Sequence, residues 1–135
     1  MTANDTRRRE GGLAEDFTAA YLASLGHEIL CRNFTVRGGE TDIISLDGEY
    51  IVFTEVKMRC KGESPTAAVT HDKIARIKKC AEVFMKNKLA DSRLCGRKMR
   101  IDVVAVQRDE SCEGGFCVIK HIKGFDSAPK TARRF

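Results

Sequence analysis

Gly39-Glu40-Thr41-Asp42-Ile43-Ile44-Ser45-Leu46-Asp47-Gly48-Glu49-Tyr50-Ile51-Val52-Phe53-Thr54-Glu55-Val56-Lys57 reads as a β-hairpin, with an acid on its first strand and an acid–lysine pair on its second. Residues 41–46 and 50–57 are rich in Ile, Val, Phe and Thr, side chains that suit a pleated surface. Asp47-Gly48 between them is a hairpin turn signal. With those two residues as the turn, Leu46 faces Glu49 and Asp42 faces Phe53. Asp42 then shares a face with Ile51, Phe53, Glu55 and Lys57. Glu55 is its diagonal neighbour, roughly 7–8 Å away between backbones, and two carboxylates at that separation can lean onto one divalent cation. Glu55 and Lys57 are about 6–7 Å apart on the same face. A three-residue turn would flip the parity and put Asp42 on the other face.

Charged residues on a strand are usually its solvated side. Here Ile51, Val52, Phe53 and Val56 occupy both faces, which predicts a covered central strand. Acids and lysines in such a place need a partner or a metal, so a functional site is favoured over a structural ion pair.

Working outward, Leu13, Phe17, Ala20, Tyr21 and Leu25 recur at helical spacing and predict a helix over about 11–24, stopped by Gly26. Glu15 lies off that stripe and on spacing alone reads as solvent-facing. A strand over 28–34 precedes the hairpin. After it, residues 58–69 form a polar loop in which Arg59 and Lys61 are placed to reach phosphates. Thr70 caps a helix predicted over 71–89, with Ile74, Ile77, Ala81, Phe84 and Met85 inward. Lys73 and Arg76 project elsewhere, as a solvated face or as a phosphate-contacting one. Residues 100–107 are apolar on both faces around Asp102, which reads as a structural or supporting carboxylate. A last strand covers 116–123. The passage from strand 50–57 through the helix to strand 100–107 is a crossover, making that pair parallel. The expected fold is α/β: a mixed sheet of about five strands flanked by helices.

The chain of 135 residues fits one domain. Residues 1–10 are expected to be a mobile arm, 11–125 the domain, and 126–135 a basic tail. There is no apolar run of membrane-spanning length and no secretory leader, so a cytoplasmic protein is expected. Six cysteines make no Cys-x-x-Cys and no paired zinc-ligand spacing; they are read as reduced thiols, and no zinc site is expected. The net charge of +5 and the pI near 9.0 favour a polyanionic partner. No Walker loop, zinc finger or RNA-recognition motif is present.

A helix, then an acid, then acid-x-lysine on neighbouring strands resembles the PD-(D/E)XK nuclease superfamily, with its restriction-endonuclease-like fold. The chain more closely resembles the YraN family, which is similar to Holliday-junction resolvases. The resemblance runs over about residues 12–125. It is carried by Ala14-Glu15 with Tyr21-Leu22, by Gly26 and Arg32-Asn33, and above all by Gly39–Ile44 and Val52–Arg59. Lys73, Arg100-Ile101-Asp102-Val103-Val104, His121-Ile122 and Phe125 complete it. Ala14 stands where the family usually has Gly, and Thr41 and Thr54 replace apolar residues; the carboxylates and the lysine are intact.

The resemblance implies that Asp42 and Glu55, with the backbone carbonyl of Val56, ligate Mg²⁺ or Mn²⁺. Lys57 would position or activate water and offset charge on the phosphate. Glu15 would approach from the first helix, toward a second metal or a metal-bound water. Glu40 would support the site or only its turn. The expected activity is metal-dependent endonucleolytic hydrolysis of DNA, more than RNA, with branched DNA a candidate substrate. Arg59, Lys61, Lys73 and Arg76 would contact the nucleic acid. A homodimer with two active sites is a further implication. The alternative is a nucleic-acid-binding module that keeps the nuclease fold without turnover.

Overall fold

The computed structural model describes residues 2–65, 69–87 and 92–125. The predicted tail over 126–135 lies outside them, as do residues 88–89 of the predicted second helix. Helix α1 (Ala3–Ser24) starts well before the predicted position, so the segment expected as a mobile arm is largely its opening turns. Thr2 is the reason. Its hydroxyl accepts the Asp5 N–H at 3.1 Å, and the Asp5 carboxylate accepts the Thr2 N–H at 3.2 Å. This reciprocal capping box satisfies two otherwise orphaned donors. Gly26 ends the helix as expected, at φ +97°, where the His27 N–H reaches back to the Leu22 carbonyl at 3.0 Å.

The buried stripe of α1 is rotated from the predicted one. Ala14, Thr18 and Leu22 are fully covered, whereas Leu13 and Leu25 are 46% and 49% exposed. Thr18 passed as polar, but its hydroxyl donates to the Ala14 carbonyl at 2.8 Å and is thereby satisfied inside the helix. Small side chains at 14 and 18 let α1 lie close on the sheet.

The sheet has five strands in the order β1 (Glu28–Val36), β2 (Gly39–Asp47), β3 (Tyr50–Arg59), β4 (Lys98–Arg108), β5 (Phe116–Ile122). β3 and β4 are parallel and the other neighbours antiparallel, so the crossover through α2 (His71–Asn87) is confirmed. The Thr70 hydroxyl caps α2 by accepting the Lys73 N–H at 3.3 Å. α2 sets Ile74, Ile77 and Ala81 on Ile44, Phe53, Ile101 and Val103. α1 sets Ala14 and Leu22 on Ile43, Val104 and Val106 of the opposite face. This is the α/β mixed sheet, flanked by helices, that the pattern predicted. None of the described helices is long and apolar enough to cross a membrane.

The hairpin register differs from expectation by one step. Asp47 pairs with Tyr50 and Leu46 with Ile51, so Gly48-Glu49 is the turn. Gly48 takes φ +57°, a left-handed backbone that glycine enters with no Cβ penalty. Asp47 is held in the strand by Arg100, 2.9 Å from its carboxylate. The turn keeps two residues, so the parity survives and Asp42 stays on the face of Phe53, Glu55 and Lys57.

Candidate active site

The ladder between β2 and β3 runs from Asp47–Tyr50 to Ile43–Thr54, while β3 stays paired with β4 as far as Arg59–Gln107. Beyond Thr54 the two strands part. Continuing the register would set Asp42 opposite Glu55. Asp42 fills the opening with its own side chain, accepting the Val56 N–H at 2.7 Å. The carboxylate thus stands between the strands and is reached from both sides of the sheet. From α1, Glu15 faces Asp42 across the same cleft. From β3, Lys57 Nζ lies 3.2 Å from the Glu55 carboxylate, and both side chains are close to nine-tenths covered. From α2, Lys73 lines a recess shared with Glu55.

These contacts set the charge states. Burial, then the facing Glu15, pushes the Asp42 carboxyl from its ordinary 3.8 up to about 7, against the Val56 N–H and Lys57, which pull it down. Burial, then the Asp42 charge, raises Glu55, against Lys57 and Lys73. Lys57, then burial, lowers Lys73. Such a cluster of desolvated acids has more negative charge than its lysines neutralise, the condition a bound cation relieves.

The donor set can be tested against a divalent cation. All donors are carboxylate or carbonyl oxygens, which suit Mg²⁺ and Mn²⁺. Glu15, Asp42 and Glu55 do not form a trio with all oxygens within 4.8 Å of one another. The site is therefore an Asp42–Glu55 pair with Glu15 facing Asp42. Mg²⁺ commonly takes one or two carboxylates and completes its shell with water and phosphate, so the residues present fit it.

A cleft of about 260 Å³ opens over the cluster, lined by Glu15, Asp42, Glu55 and Val56 and roofed by Arg8 and Gly12 of α1. Arg8 and Gly12 stand about two turns and one turn before Glu15; extending the helix back to its capping box would have found them. A smaller recess joins Glu55 to Lys73, Arg76 and Glu40. There Glu40 is paired with Arg76 at 3.2 Å and both are mostly exposed. Lys61 is exposed in the loop after β3. Arg59 is turned onto that loop, donating to the Pro65 and Met58 carbonyls. A larger cavity, about 760 Å³ between Phe17, Tyr21, Arg108 and Phe116, holds none of the predicted site residues.

A second polar cluster was legible only in part. Asp102 is fully buried and accepts from Arg100 Nε and Nη2 at 2.8 and 2.9 Å, and from the Gly124 N–H at 3.1 Å. His121 Nε2 lies 3.0 Å from Asp102, and its Nδ1 lies 2.9 Å from the Tyr21 hydroxyl. Arg100 also holds Asp47, whose carboxylate lies 3.5 Å from His27, itself bonded to Ser45 at 2.8 Å. Against its burial, His121 and Arg100, and then the Gly124 N–H, keep the Asp102 carboxyl below its ordinary value. The chain from Tyr21 to Ser45 ties α1, the helix that carries Glu15, to three strands, β2, β4 and β5. It fits the structural role expected of Asp102.

Comparison with known proteins covers the same residues. The profile of the uncharacterised protein family UPF0102 matches residues 14–106, which include Glu15, Asp42, Glu55, Lys57 and Lys73. A UPF0102 protein of Syntrophus aciditrophicus is 43% identical over 107 residues, 77% of this chain and 81% of that one. One of Dictyoglomus turgidum is 40% identical over 98 residues, 71% and 80% of the two chains. One of Pseudarthrobacter chlorophenolicus is 36% identical over 126 residues, 92% and 88%. UPF0102 corresponds to the YraN family, and the chain belongs to it.

Proposed function

We propose that the chain is a metal-dependent endonuclease hydrolysing DNA phosphodiester bonds, with branched DNA the first substrate form to examine. The observation that carries this reading is the meeting of Glu15, Asp42 and Glu55, from a helix and two strands, in one cleft where β2 and β3 part, with Lys57 Nζ 3.2 Å from the Glu55 carboxylate. Asp42 and Glu55, with the Val56 carbonyl, would hold Mg²⁺ or Mn²⁺. When bound, the cation supplies Lewis-acid charge to the phosphate and acidifies water. Lys57, anchored by Glu55, presents fixed positive charge to a phosphate oxygen. Glu15 orients water across the cleft from Asp42. Arg8 at the cleft and Lys73 and Arg76 on α2 hold the phosphates that flank the scissile one.

The test is cleavage of a labelled four-way junction, a linear duplex and a single strand, each in Mg²⁺, Mn²⁺ and EDTA. Metal-dependent cutting lost in Glu55→Ala and Lys57→Ala is the expected result. Uncut DNA under every condition refutes it. A second reading has its own support: in the apo protein Lys57 is already paired with Glu55, and Asp42 with Val56, so the cluster is satisfied without turnover. Uncut but retarded DNA, unchanged in Lys57→Ala, would mark a binding module. Sedimentation with and without junction DNA tests the homodimer that the resolvase likeness implies.

A further inference from the structure

The β4–β5 connection gathers three metal-ligating side chains that neither the proposed nuclease site nor the matched family region includes. Asp109, Cys112 and Cys117 place a carboxylate oxygen and two sulfurs all within 4.8 Å of one another, each residue half-buried. Among the described residues no other His, Cys, Asp or Glu trio does this. We propose that this loop is a thiophilic metal site taking Zn²⁺, with the two thiolates and the Asp109 carboxylate as ligands and a fourth position open to water.

The fold of the loop brings the donors together. Asp109 N–H donates to the Gly115 carbonyl at 2.9 Å, Cys112 N–H to Asp109 at 3.1 Å, and Gly115 N–H to Cys112 at 3.0 Å. Gly114 and Gly115 take φ +82° and +79°, and this pair of left-handed residues turns the chain so that Cys112 returns over Cys117 on β5. The Cys112 sulfur and the Asp109 carboxylate lie within 4.8 Å of each other. That carboxylate is fixed by the Ser111 N–H at 3.0 Å and hydroxyl at 2.6 Å. The loop is seated on the core, for Gly114 lies against the Phe17 ring and Phe116 stacks beside it at 5.6 Å.

Tetrahedral Zn²⁺ at about 2.3 Å from sulfur and 2.0–2.2 Å from oxygen sets its ligands about 3.5–3.8 Å apart. The donors need to close by only about 1 Å. Two thiolates select Zn²⁺ over the oxygen-seeking Mg²⁺ of the other site. Metal binding releases the thiol protons, two on full ligation, with no oxidant involved. Its consequence is a clip across the β4–β5 hairpin. Sequence spacing hid the site because Cys-x₄-Cys is not a usual finger spacing and its third ligand is a carboxylate.

The experiment is titration of the reduced full-length protein with Co²⁺, followed by Zn²⁺. A thiolate-to-cobalt charge-transfer band and tetrahedral d–d bands should rise to one equivalent and vanish on Zn²⁺ addition. Cys112→Ser and Cys117→Ser should each abolish the charge-transfer intensity at one equivalent, and Asp109→Asn should shift the titration to higher metal. Cys60→Ser and Cys95→Ser, at exposed positions elsewhere, should leave it unchanged. Absence of thiolate bands in the reduced wild type, or their persistence in both loop variants, overturns the proposal. Zn²⁺ should also raise the wild-type melting temperature and not that of Cys112→Ser; equal shifts overturn it as well. The readout is independent of DNA cleavage.

Discussion

Asp42→Asn at pH 8 in EDTA should stabilise the protein, and the size of the gain follows from the site. The folded state raises the Asp42 carboxyl from 3.8 to about 7, with burial the leading cause. The native chain therefore holds this proton more tightly than the unfolded one. Ionisation costs nothing below about pH 4, costs progressively more up to 7, and costs its full amount above that. Roughly three pKa units at about 1.4 kcal/mol each set an upper limit of about 4 kcal/mol. Asparagine keeps an oxygen for the Val56 N–H and offers an amide hydrogen to Glu15, so those contacts survive without the charge. What is lost is the attraction to Lys57, the smallest of the influences on Asp42. A net gain of about 2–4 kcal/mol is expected, or about 10 °C in melting temperature for a chain of this length. The assay is a thermal melt across pH 4 to 9, repeated with Mn²⁺. The gain should fade toward pH 4 and shrink when Mn²⁺ stabilises the wild type alone. If the variant melts lower than wild type at pH 8 in EDTA, Asp42 is a structural partner of Lys57. The cation-site argument then fails.

The structure makes further predictions away from the carboxylates. In Gly39→Ala a Cβ would sit 2.4 Å from the Arg76 carbonyl of α2; a loss of about 1–3 kcal/mol is expected from urea unfolding, and no loss would mean that α2 is not seated on β2. Asp102→Ala leaves Arg100 without the bidentate carboxylate that neutralises it and should cost about 3–5 kcal/mol. Since the Asp102 carboxyl is lowered in the fold, its stabilisation is present above about pH 4 and lost as pH falls through its depressed value. Asp102→Asn should therefore flatten the acid limb of a stability–pH curve; an unchanged limb counts against it. Burial lowers His27, so its own contribution to stability should fall as pH drops below about 6.5, opposite in sign to that of Asp42. His27→Gln should remove that slope, and a retained slope would place the titrating group elsewhere.

The fold was legible where one local signal decided it. Runs rich in Ile, Val, Phe and Thr marked the two hairpin strands, and continuous apolarity at 100–107 correctly placed that strand inside the sheet. α1 was harder because its contact face is Ala14, Thr18 and Leu22, too small and too polar for a hydrophobicity count to pick out. Leu13 and Leu25 drew the predicted stripe outward instead. The hairpin turn was misplaced by one residue because Asp-Gly is a local preference. The Arg100 bond that keeps Asp47 in the strand comes from a residue more than fifty positions away.

Those two errors bear on the site differently. Moving a two-residue turn by one position changes both strand indices together, so the faces are conserved and only the offset changes. Asp42 passes from the diagonal of Glu55 to the position opposite it, just where the two strands part. Rotating α1 changes which of its side chains can reach the sheet. With Ala14 buried rather than Leu13, Glu15 sits at the border of the contact face and faces Asp42 across the cleft. The acid-x-lysine strand could be placed from its own residues. The helix glutamate could not, because its position depends on how closely Ala14 and Thr18 let a whole helix approach. A bulky residue at either position should therefore move Glu15 off Asp42 without touching a carboxylate. Ala14→Leu should lower the apparent pKa of Asp42, followed by carboxyl-selective NMR, because it removes the neighbouring acid. An unmoved Asp42 titration would show that burial alone, and not Glu15, holds its proton.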